Sequence, residues 1–80
     1  MTEHELYDSL TALFSEIFLR DDIALAATTT AADIDGWDSF KQIEIVMAVE
    51  ERFGIRLLTR EIDSLKQVGD LVAAINSKIR

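Results

Sequence analysis

Eighty residues suit one small domain with a single core and leave little room for a deep active site within one chain. The absence of cysteine removes disulfides, thiolate nucleophiles and Cys-based metal sites, and fits a reducing compartment, with the cytoplasm as the expected location. Fifteen acidic residues against eight basic ones give a formal charge of −7, which repels nucleic-acid phosphates and anionic lipid and suits a protein partner with a basic patch.

The N-terminal MTEHELYDSL is acidic and amphipathic, unlike a signal peptide, and no apolar run approaches membrane-spanning length, so a soluble chain without membrane insertion is expected. Thr2 and Glu5 have capping-box spacing. Leu6, Leu10, Leu13, Phe14, Ile17 and Phe18 then recur at helical intervals and predict a helix over roughly residues 3–19. Residues 20–37 lack a sustained period and read as a long loop, with a turn begun by Thr30 and Asp33 and with Ile23, Leu25, Ile34 and Trp37 as anchors to the core. A second helix is predicted from Asp38 to Phe53, closed by Gly54 and with Arg52 at the negative end of its dipole. Ile55 to Leu58 reads as extended and Arg60 to Leu65 as a helical turn. Val68, Leu71, Val72, Ile75 and Ile79 define a last helix to the C-terminus. With no proline, repeat or linker, residues 1–80 are expected to form a single all-α domain, a small bundle of three main helices plus a short fourth.

The second helix holds two apolar stripes. At about 100° per residue, Ile45, Val46, Val49 and Phe53 fall on one face, the expected core stripe, and Phe40, Ile43 and Met47 lie about 140° away. Glu44, Glu50 and Glu51 flank the second stripe. Either the long loop folds over it, or it is a docking strip edged with carboxylates for a partner with an apolar groove and a basic rim. Ser39 stands where an N-cap is ordinarily found, and Ser39 and Gln42 have capping-box spacing. Asp38 can cap in its place, which leaves the hydroxyl facing solvent at the positive end of the dipole, where a phosphate is favoured.

The stretch GWDSFKQIEIVMAVEERFGI resembles the carrier-protein family, the acyl and peptidyl carrier proteins, whose Asp-Ser-Leu motif opens the second helix. The likeness spans nearly the whole chain, through the helix ending in Phe-Gly-Ile and the final Val-Gly-Asp-Leu-Val segment. The resemblance implies 4′-phosphopantetheine on Ser39, with Asp38 helping a phosphopantetheinyl transferase to position it. Phe40, Ile43, Glu44, Met47, Glu50 and Glu51 would form the face offered to an acyl-loading ligase or synthase and to downstream acyl-processing enzymes. Val46, Leu57, Ile62 and Leu65 would line a cleft for the acyl chain. Phe40 in place of leucine, and the basic Lys41 and Arg52 on an otherwise acidic helix, point to a specialised member rather than the housekeeping fatty-acid carrier. The chain is expected to act as a monomer and not as an enzyme.

Three other functions would use the same residues differently. A peptidyl or aminoacyl carrier would use Ser39 in the same way. An enzyme with Ser39 as nucleophile would need His4 as its base, but His4 is the only histidine and sits in another helix, with no nucleophile elbow around Ser39. A helical interaction module would use Ser39 only as a cap and bind a peptide along the strip. The scattered carboxylates predict no metal site.

Overall fold

The computed structural model describes residues 2–79 and contains no strand among them. Helix α1 spans Glu3–Phe18, α2 Ser39–Phe53, α3 Thr59–Asp63 and α4 Val68–Lys78, with a 3₁₀ turn at Ala31–Asp33 in the long loop. The expected bundle of three main helices and a short fourth is what forms. No described helix is long and apolar enough to cross a membrane.

The capping box predicted for α1 is closed. Thr2 Oγ1 accepts from the Glu5 N–H at 3.2 Å, and the Glu5 carboxylate accepts from the Thr2 N–H at 2.7 Å, satisfying donors that the first turn leaves without helical partners. At its other end α1 stops at Phe18, one residue before the predicted limit, because Leu19 adopts left-handed backbone (φ 55°, ψ 45°). That conformation costs a non-glycine residue roughly 1–2 kcal/mol. Gly54, also left-handed (φ 64°), ends α2 at the position read from sequence, and there the missing Cβ removes that cost.

Leu6, Leu10, Leu13 and Phe14 of α1 meet Ile45, Val46 and Val49 of α2 and Val68, Leu71, Val72 and Ile75 of α4 in one buried core, which Leu57 and Ile34 join from the connecting segments. Helix α1 lies against both α2 and α4. Each of these helices puts its apolar stripe inward because burial of such side chains contributes about 1.5–3 kcal/mol apiece. Phe53, expected on the core stripe, is only half-buried at the end of α2.

The long loop is anchored as the sequence suggested, by buried Ile34 and half-buried Ile23, Leu25 and Trp37. It is also stapled to α4. The Val68 N–H donates to Thr29 O at 2.8 Å and the Gly69 N–H to Ala27 O at 2.9 Å, so two first-turn donors of α4 are satisfied by loop carbonyls. The approach is close enough that a Cβ on Gly69 would lie 2.9 Å from Ala27 O. The short helix α3 is held through the Glu61 carboxylate, whose Oε1 accepts from the Leu58 N–H at 2.9 Å and pairs with Lys78 Nζ of α4 at 3.0 Å.

Candidate functional site

The chain enters α2 through a fixed corner. Gly36 turns it with a φ of 90°, a value that side chains other than glycine rarely tolerate. The Trp37 ring then packs edge-on to Phe14 at 5.3 Å and beside Phe18 at 6.2 Å between centroids. Its Nε1–H donates to Gln42 Oε1 at 2.8 Å. Asp38 is extended, and its Oδ1 accepts from the Lys41 N–H at 2.9 Å. Asp38 is therefore the N-cap, and Ser39, the first helical residue, is left exposed. The Ser39–Gln42 capping box suggested by spacing does not form, because Asp38 and not Ser39 occupies the N-cap, and the Gln42 amide oxygen accepts from Trp37 instead. Nothing in the local pattern announced that pair, since an indole donor and a helical amide leave no periodic trace.

The second stripe of α2 is open to solvent, with Phe40 77%, Ile43 58% and Met47 63% exposed. The long loop does not cover it. Glu44 and Glu51 stand exposed beside it. Glu50 differs from expectation: its Oε2 accepts from the Leu57 N–H at 2.8 Å, because that extended segment has no strand partner for its donors. Lys41 does not reach outward either. Its Nζ donates to Ile17 O at 3.3 Å, pairs with Glu44 at 3.3 Å and lies 5.9 Å over the Phe18 ring, so it neutralises the carbonyl end of α1. Arg52 pairs with Glu16 of α1 at 3.8 Å.

Of the four residues expected to line an acyl cleft, Val46 and Leu65 border a small, partly open crevice between α2 and the start of α4. Leu57 is buried in the core, Ile62 is half-buried on α3, and neither forms part of the crevice wall. A shallow open groove runs beside Ser39, along Trp37, Asp38, Gln42 and Ile43. His4 is exposed and pairs with Asp8 of its own helix at 3.3 Å. Among the described residues no group of three or more His, Cys, Asp or Glu could hold a metal ion.

Residues 8–75 match the family described as "Phosphopantetheine attachment site". The chain is similar to the acyl carrier protein of Thermosynechococcus vestitus, 28% identical over 99% of this chain and 98% of that one. It is 30% identical to the acyl carrier protein of Lactobacillus acidophilus over 96% of each. Its fold superposes with a TM-score of 0.87 on the solution NMR structure of the holo acyl carrier protein from Geobacter metallireducens, at 36% identity, covering 91% of this chain and 84% of that one.

Proposed function

The chain belongs to the acyl carrier protein family, and from that membership we propose that Ser39 bears its 4′-phosphopantetheine arm. The protein is a carrier and not a catalyst. Its cofactor is phosphopantetheine, attached by a transferase, and members of the family work with biosynthetic enzymes.

The observation that carries the Ser39 assignment is the division of labour at the start of α2. Asp38 takes the capping role, so the Ser39 hydroxyl stays free at the positive end of the helix dipole, where a phosphoester is stabilised. The other serines are less suited. Ser64 and Ser77 donate to Glu61 O and Ala74 O, each at 2.8 Å, while Ser9 and Ser15 are half-buried on α1. When bound, the group supplies a terminal thiol that holds an acyl group as a thioester. Asp38 keeps the first turn in place, and Trp37, packed on Phe14 and Phe18, anchors the chain two residues before Ser39.

Phe40, Ile43 and Met47 form the docking strip in this proposal, with Glu44 and Glu51 steering a basic partner toward it. The partners are a phosphopantetheinyl transferase, an acyl-loading ligase or synthase and downstream acyl-processing enzymes. Glu50, committed to Leu57, shapes the edge of the strip. Lys41 and Arg52, tied to α1, brace the bundle, and the carrier works as a cytoplasmic monomer.

Incubation with coenzyme A, Mg²⁺ and a promiscuous transferase should add one arm, read by intact mass, with fragmentation placing it on Ser39. Ser39→Ala should stay folded and unmodified. Modification at Ser9, Ser15, Ser64 or Ser77 would overturn the assignment.

A further inference from the structure

Leu19 does no packing work in the bundle. Its side chain is 90% exposed, the most of any large apolar residue among those described, so it buries nothing against the core. Its backbone is left-handed (φ 55°, ψ 45°), a conformation that suits glycine or asparagine and disfavours leucine. The end of α1 is completed without its side chain. The Leu19 and Arg20 N–H groups both donate to Ser15 O, the second at 3.1 Å, and Lys41 Nζ donates to Ile17 O. The turn is nevertheless firmly held, because Arg20 Nε and Nη2 donate to the two carboxylate oxygens of Asp22, each at 2.9 Å, a fork that fixes the chain just beyond Leu19. Backbone strain retained at an exposed apolar residue, with no burial to offset it, marks a position kept for recognition.

Two ties bring this turn to the attachment residue. Phe18, the neighbour of Leu19 in the chain, packs 6.2 Å from the Trp37 ring, and Trp37 precedes Ser39 by two residues. Lys41, two residues past Ser39, reaches the carbonyl of Ile17, two residues before Leu19. An enzyme that docks on the carrier covers about 800 Å² of it, a disc roughly 16 Å in radius, which around Ser39 takes in the last turn of α1 as well as the first turn of α2. Enzymes that act on the cargo reach it through the arm, whereas the transferase must bring its own reacting groups to the Ser39 hydroxyl and so must cover the ground around it. We propose that Leu19 is an anchor for the phosphopantetheinyl transferase, filling an apolar pocket on that enzyme while Phe40 engages it from α2. Because Arg20 and Asp22 neutralise each other beside Leu19, the pocket needs no charged rim of its own. This inference rests on Ser39 bearing the arm.

Transfer of the arm from coenzyme A by a promiscuous transferase gives kcat and KM for the carrier as substrate, with intact mass following the addition and fragmentation placing it on Ser39. Leu19→Gly removes the side chain and suits left-handed backbone. It should raise KM roughly tenfold, the low end of what burying a leucine supplies, and leave kcat unchanged. Leu19→Asn, which also tolerates this backbone, should do the same. Thermal unfolding should show no loss of Tm in either variant, so that binding is lost without loss of fold. Leu19→Met keeps an adaptable apolar chain and should hold KM within about twofold of the wild-type value. An unchanged KM in Leu19→Gly, or an equal rise in Leu19→Met, overturns the anchor and leaves the attachment site standing. Dimerisation of the wild-type chain in sedimentation, abolished by Leu19→Gly, would assign Leu19 to contact between copies and overturn the anchor too. Failure of the wild-type chain to accept the arm at Ser39 overturns both.

Discussion

A few side chains on α2 separate stability from recognition. Met47 is largely exposed and Ile45 almost fully buried, although the two are near neighbours in sequence. Ile45→Ala should lower unfolding stability by about 2–5 kcal/mol, as large-to-small core changes do. Met47→Ala should change it by less than about 0.5 kcal/mol and instead weaken the action of a loading enzyme. Chemical denaturation paired with a loading assay checks both, and a large stability loss from Met47→Ala would place that residue in the core. Asp38 serves both ends. Asp38→Ala removes the cap of α2 and should cost about 1 kcal/mol while slowing transfer to Ser39. Asp38→Asn, which keeps a capping oxygen, should restore most of the stability, and recovery of the transfer rate with it would assign Asp38 a purely capping role.

At the level of elements, the two short junctions decide how the helices are held. Gly69→Ala drives a Cβ against Ala27 O and strains or breaks two loop-to-α4 hydrogen bonds, each worth about 0.5–1.5 kcal/mol. The expected result is a lower Tm and faster amide exchange at Val68 and Gly69, with the remaining helices unchanged. Glu61 gives α3 a pH dependence. The Leu58 N–H, and then the Lys78 ammonium, hold its carboxyl below the ordinary 4.5. With the folded value depressed, its contribution is complete above that ordinary value and is lost as pH falls through the lower folded one. Glu61→Gln should flatten the acid limb of the stability profile, measured by denaturant unfolding across pH 2–7. The sequence showed these elements unevenly, for a physical reason. Helices α1, α2 and α4 carry a 3.6-residue period and local caps, Thr2 with Glu5 and Asp38 with Lys41, so their placement could be read directly. So could the exposed strip, because one helix in so small a bundle cannot bury two faces. The staple between Gly69 and Ala27, the tie from Glu50 to Leu57 and the Trp37–Gln42 bond join residues through backbone amides or across a turn. None of them leaves a periodic signal.

For the whole molecule the governing quantity is charge. A formal −7, with Glu44 and Glu51 exposed beside the strip, predicts that docking is fast at low salt and slows as the screening length shortens to about 10 Å near 0.1 M. Reversing Glu44 and Glu51 to Lys should slow association with the loading enzyme and flatten its salt dependence in stopped-flow measurements. Unchanged rates would remove both carboxylates from the docking face. The loop staple has a consequence of another kind. The amide hydrogens of Val68 and Gly69 are bonded to Thr29 and Ala27 rather than within α4, so they become exchangeable when the loop lifts even if every helix stays intact. Deuterium uptake at these two positions thus separates loop opening from global unfolding, and the ratio of their exchange rates to those deep in α1 reports how often the loop lifts while the helices stay folded.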